Sequence, residues 1–143
     1  MGNIDKLKQH HIDIKKIAED MYGHLDEKAL SRNATEVRSL MTSVGGKLLV
    51  HLSGENSNVY PPLLASEDPA VKATAEKFQK EIEEVKAALA SYTGNWPTAA
   101  SIEGKPAEFI DETKKVFALL TERMAREDKE LYTLLPAEDA QPQ

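Results

Sequence analysis

Residues 51–60 read His51-Leu52-Ser53-Gly54-Glu55-Asn56-Ser57-Asn58-Val59-Tyr60, and residues 123–132 read Arg123-Met124-Ala125-Arg126-Glu127-Asp128-Lys129-Glu130-Leu131-Tyr132. The second stretch lies 72 residues after the first. At that offset Glu55 falls on Glu127, Tyr60 on Tyr132, Leu63 on Leu135 and Val44 on Val116. His51, by contrast, falls on Arg123. A His and a Glu four residues apart share one helix face, a spacing suited to gripping a metal ion. One copy keeps that pair, and the other replaces the His by a fixed cation.

Around this repeat the chain is patterned as helix throughout. The first seam runs Ile4, Leu7, His11, Ile14, Ala18, Met21 and Leu25, in alternating steps of three and four. Asn3 is its expected N-cap. The second seam is Val37, Leu40, Val44, Leu48, His51, Glu55 and Val59. Asn33-Ala34-Thr35-Glu36 resembles a capping box that would start it, and Pro61-Pro62 should kink or end it. The third is Val71, Ala75, Phe78, Ile82, Val85, Leu89 and Tyr92, with Pro69 at its first helical position. The fourth is Phe109, Thr113, Val116, Leu120, Arg123, Glu127, Leu131 and Leu134, beginning at Pro106. Thr93 to Lys105, with Gly94, Pro97 and Gly104, is expected to be one long loop. No strand is expected.

This pattern predicts an all-α, antiparallel up-down-up-down four-helix bundle over residues 1–136, with a polar tail over 137–143. The repeat predicts two helical hairpins related by a pseudo-two-fold axis, so that His51 and Arg123 approach the centre from facing helices. With 143 residues the chain fits one domain. Its net charge of −6 argues against nucleic acid and against an anionic membrane surface. It has no cysteine, so disulfides and thiolate metal sites are excluded. No stretch approaches the roughly 18 apolar residues of a membrane span, and Met1-Gly2-Asn3-Ile4-Asp5-Lys6 carries no apolar leader. A cytoplasmic location is the expectation.

The chemistry lies in the polar residues that interrupt the apolar seams: His11, His51, Glu55, Arg123 and Glu127. A buried charge is costly unless it is paired or binds a metal. Two imidazoles and two carboxylates suit a divalent iron, zinc or manganese ion. Read alone, His11 would be an ordinary satisfied core histidine, and His-x-x-x-Glu is a weak motif. The convergence of three helices on one level is what favours a site. His10 lies beside the seam and competes with His11, which the heptad favours. His24 is expected at the surface, and Glu81, Glu83 and Glu84 read as a solvated face. Gly45 and Gly46 are expected to mark close helix packing, and Tyr60 and Tyr132 to close the bundle end by aromatic packing. Gly54 and Asn56 weaken the helix beside Glu55, and the sequence alone supplies no reason.

Taken in order, these segments resemble the hemerythrin-like, or HHE cation-binding, family. The resemblance rests on Leu7-Lys8-Gln9-His10-His11, then His51-Leu52-Ser53-Gly54-Glu55 with Tyr60-Pro61, then Phe78-Gln79-Lys80-Glu81-Ile82, and finally Arg123-Met124-Ala125-Arg126-Glu127 with Leu131-Tyr132. It runs from Leu7 to Leu135. The family typically holds two irons bridged by two carboxylates, which implies Glu55 and Glu127 as the bridges. Terminal histidines of one iron match His11 and His51. Those of the other fall on Ile82 and Arg123, so both losses strike the same metal.

The resemblance thus implies one metal ion per chain, iron or another divalent metal, on His11, His51, Glu55 and Glu127. Arg123 would hold the free oxygens of the two carboxylates. Dioxygen carriage in the family draws on both irons, so one ion implies weak or absent carriage, with sensing, or binding of metal or nitric oxide, still open. The alternative is a metal-free interaction or signalling module in which Arg123 pairs with Glu55 and Glu127. A facial-triad oxygenase is disfavoured, because four protein ligands leave little room for substrate. The expectation is a binding protein and not an enzyme.

Overall fold

A computed structural model describes residues 3–135, and all regular structure among them is helical. The expected tail, together with Pro136, lies outside the described residues. Four long helices carry the fold: α1 (Asn3–Tyr22), α2 (Glu27–Asn58), α4 (Pro69–Asn95) and α6 (Pro106–Arg126). Two short ones, α3 (Tyr60–Leu64) and α5 (Ala99–Gly104), sit in the connections. Beyond α6 the chain widens into a π turn over Glu127–Leu131, then tightens to a 3-10 turn over Tyr132–Leu134.

The apolar stripes turn inward as their spacing requires. Ile4, Leu7, Ile14 and Met21 of α1, with Val37, Val44 and Leu48 of α2, are buried. Phe78 and Ile82 of α4 meet Phe109, Phe117 and Leu120 of α6 in the same core. Each such side chain, fully buried, contributes about 1.5–3 kcal/mol. In α2 Met41 takes the core place expected for Leu40, which is half-buried. Among the long helices α1 packs chiefly against α2, and α4 against α6. No helix is long and apolar enough to cross a membrane.

Three boundaries differ from the sequence reading. α2 starts at Glu27, where the Asp26 side chain accepts from the Ala29 N–H at 2.8 Å. The expected start at Asn33 is instead a kink, with φ −120° and ψ 17°. Its capping signal therefore marks a break inside a longer helix. The supposed loop 93–105 is mostly helical, because buried Trp96 and Ile102 anchor it to the core. Thr98 and Ser101 cap α5 reciprocally, and the Trp96 indole donates to Glu112 Oε2 at 3.0 Å. The Gly and Pro signals there marked edges of helices.

The glycines also exchange roles. A Cβ on Gly45 or Gly46 would meet open space, so neither marks close packing. Gly54 does: its Cβ would stand 3.1 Å from Leu7 Cδ2. A small residue beside Glu55 is what lets α1 approach α2 at the level where His11 and His51 meet.

Candidate metal centre

Each polar residue of the seams is buried: His11, His51, Glu55, Arg123 and Glu127 are all at most 7% exposed. α1 delivers His11, α2 delivers His51 and Glu55, the end of α6 delivers Arg123, and the π turn that follows delivers Glu127. One ligand atom from each of His11, His51 and Glu127 lies within 4.8 Å of the others. His11 Nε2 is 3.1 Å from His51 Nε2 and 2.8 Å from Glu127 Oε1. His51 Nε2 is 3.2 Å from both Glu127 Oε1 and Glu55 Oε2.

Surrounding groups fix the imidazoles. His11 Nδ1 meets Asp128 Oδ1 at 3.0 Å. A carboxylate on the outer nitrogen holds the ring and aims Nε2 inward, as around a metal-bound His. His10 does not join the converging group. Its Nδ1 lies 3.2 Å from His51 Nδ1, so it supports His51 from behind and leaves the inner position to His11. Burial, then the neighbouring His51, push the His10 pKa down, which suits it to accept from a His51 Nδ1–H.

Tyr132 enters the site, where aromatic packing alone was expected. Its Oη donates to Glu55 Oε2 at 2.7 Å. It also lies 3.2 Å from His51 Nε2, 3.3 Å from Glu127 Oε1 and 3.4 Å from His11 Nε2. The π turn makes this reach. Residues five apart diverge by about 140° on an α-helix, but the Tyr132 N–H bonds back to the Glu127 carbonyl, five residues away. The wider turn draws Tyr132 toward the Glu127 side. Such turns recur at functional sites.

Arg123 points inward, an orientation that the sequence leaves open, and its partners differ from those expected. Nε donates to Glu127 Oε2 at 3.0 Å. Nη1 donates to Glu81 Oε1 at 3.2 Å, and Nη2 to Tyr60 Oη at 3.1 Å and the Phe78 carbonyl at 3.0 Å. Glu55 is not among these partners. Glu81, expected on a solvated face, balances Arg123 and also takes Arg126 Nη2 at 2.9 Å. Both guanidiniums stand 4.7 Å from the Phe78 ring centre, a cation–π arrangement. His24, expected at the surface, is half-buried and 3.6 Å from Glu36.

The field inside is uneven. Burial disfavours a charged His51, yet its hydrogen bonds with Glu127 and Glu55 outweigh this and push it up to about 9. Burial also opposes ionisation of Glu127, but contacts with His11 and His51 hold it below the usual carboxylate range. Glu55 moves the other way, raised by burial and by repulsion from Glu127. Burial and both carboxylates push the Tyr132 phenol well above its ordinary value.

The donors present fit a cation. His11 Nε2, His51 Nε2, Glu127 Oε1 and Tyr132 Oη make short contacts with one another, while the Tyr132 proton is directed at Glu55 Oε2. At most two imidazole protons remain to serve six short contacts, so these contacts cannot all be hydrogen bonds. Glu55 Oε1 is buried with no hydrogen-bond partner, a costly state for a carboxylate oxygen. A cation bound among the four atoms would relieve the first of these.

Two imidazoles and a carboxylate converging inside a helical core define a metal-binding helical domain. The family model described as Hemerythrin HHE cation binding domain matches residues 2–135. The chain belongs to the hemerythrin HHE cation-binding family. No curated protein and no solved structure matches it.

Proposed function

We propose that this chain is a mononuclear member of its family, binding one iron or similar divalent ion in a four-helix, up-down-up-down bundle. His11, His51 and Glu127 supply the converging donors, and Glu55 supplies the second carboxylate of the site. The observation that carries this reading is the way Glu127 divides its oxygens. Oε1 faces His11 and His51, and Oε2 faces Arg123. The carboxylate thus bridges a ligand cluster and a guanidinium, as it would bridge two cations.

Between His51 and Arg123, Ile82, Val85, Leu120 and Met124 help to line a small, mostly apolar cavity in which His51 is the one imidazole. Iron bound at the converging donors would supply one-electron redox chemistry and affinity for small diatomic ligands such as dioxygen or nitric oxide. The protein's part is to hold the imidazoles through Asp128 and His10, to bury the site, and to fix its charge through Arg123. This supports binding or sensing, not turnover.

Metal analysis of protein purified without chelator, in air and under reducing conditions, tests the proposal. About one ion per chain is expected, and His51→Ala should abolish it. A second reading has its own support: with His51 protonated, the Arg123 and His51 charges can balance Glu55 and Glu127 without metal. Metal absent after reconstitution would favour that metal-free interaction module.

A further inference from the structure

The three converging donors leave one corner of their polyhedron to be assigned, and the contacts of Tyr132 assign it. Among His11 Nε2, His51 Nε2, Glu127 Oε1 and Tyr132 Oη there are six pairwise separations. All six fall between 2.8 and 3.4 Å. Four atoms so nearly equidistant form a close to regular tetrahedron. With edges of that length its corners stand roughly 1.9–2.0 Å from its centre, close to metal–nitrogen and metal–oxygen bonds of about 2.0–2.2 Å. We propose that Tyr132 is a metal ligand, completing a tetrahedral site of two imidazoles, one carboxylate and one phenolate.

This rests on the metal-binding reading above and refines it: Glu55 takes a different role from Glu127. Glu55 Oε2 is the hydrogen-bond acceptor of the phenol at 2.7 Å. As the metal–oxygen bond forms, one proton leaves Tyr132 Oη, and Glu55 is positioned to receive it. The repeat supports the asymmetry. Tyr60 occupies the equivalent place in the first copy, and its Oη accepts from Arg123 Nη2. Each tyrosine thus meets the residue at the His51 or Arg123 position of the other copy. Only Tyr132 meets an imidazole, and only that side carries the converging donors. Phenolate is a hard anionic donor, so the site should hold ferric iron well and be coloured in that state.

The test uses the full chain loaded with iron and oxidised in air, with iron content measured on the same sample. A visible phenolate-to-iron charge-transfer band is expected, with tyrosine ring modes in the resonance Raman spectrum excited within it. Tyr132→Phe should lose the band and weaken metal binding at least about tenfold, while Tyr60→Phe keeps the band. Zinc titration of the metal-free chain gives a second readout, an ultraviolet tyrosinate difference signal absent from Tyr132→Phe. Helix content by circular dichroism checks that the variants fold. Iron-loaded protein without the band, or a band that survives in Tyr132→Phe, overturns the assignment and leaves the metal site intact. A chain that takes up neither iron nor zinc overturns the metal site and the tyrosine ligand together.

Discussion

His10 and His11 are adjacent, and only one of them reaches the inner cluster. The heptad step from Leu7 selected His11, and the buried contacts agree. Spacing leaves His10 a competitor, because it does not encode side-chain contacts behind His51. Asp128 gave no signal in the sequence, since it sits one residue beyond a seam position. It is a positioning residue for His11, so Asp128→Asn should weaken metal affinity about 10–100-fold, as read by competition with a chelator. Protonation offers a separate check on the metal-free chain. His51 has a folded pKa of about 9 against an ordinary 6.5. Its contribution to stability is therefore fully present below about pH 6.5 and lost as pH rises through about 9. Urea midpoints of metal-free protein should decline over that window, and His51→Gln should flatten the decline.

Helix existence was legible from periodicity, while helix ends and irregular turns were less so. Pro69 and Pro106 marked true starts because a missing N–H costs nothing there. Asn33 misled because the same capping chemistry can sit at a kink. The π turn over Glu127–Leu131 left no trace in the hydrophobic pattern, yet it carries Tyr132 into the site. Glycine shows the same divide. Ala at Gly45 or Gly46 meets nothing within 4 Å, so each change should stabilise by up to about 1 kcal/mol through helix propensity alone. Ala at Gly54 presses on buried Leu7 Cδ2 at 3.1 Å, which offsets that gain. In urea denaturation Gly54→Ala should therefore stabilise less than either of the others, or destabilise.

Across the whole molecule the pseudo-two-fold relation is visible in contacts. Tyr60 lies on Arg123 as Tyr132 lies on His51, and Glu127 touches both sides. The Arg123 half is a satisfied hydrogen-bond network, with Glu81, Tyr60 and the Phe78 carbonyl accepting from the guanidinium. Restoring the family's pattern there is the direct test of its origin. Ile82→His combined with Arg123→His should raise the metal content from about one to about two ions per chain. No second equivalent would mean that the lost histidines do not account for the lost ion. Changing Arg123 alone to Leu should destabilise the metal-free chain, by up to about 3–5 kcal/mol, because buried Glu127 Oε2 would lose its hydrogen-bond donor while Oε1 keeps its histidines.

The sequence by itself determined the four long helices, the repeat and the five ionisable residues His11, His51, Glu55, Arg123 and Glu127 on their inner faces, because each follows from spacing along one helix. Read with the family resemblance, it also points to Ile82 and Arg123 as the places where a second pair of histidines would stand. The tertiary structure decided what those residues touch. It gave Arg123 to Glu127 and Glu81 without Glu55, placed His10 behind His51, and brought the Tyr132 hydroxyl against the converging donors. These outcomes depend on contacts between residues up to 121 positions apart and on a local widening of one helix. No periodicity along a single helix can specify either.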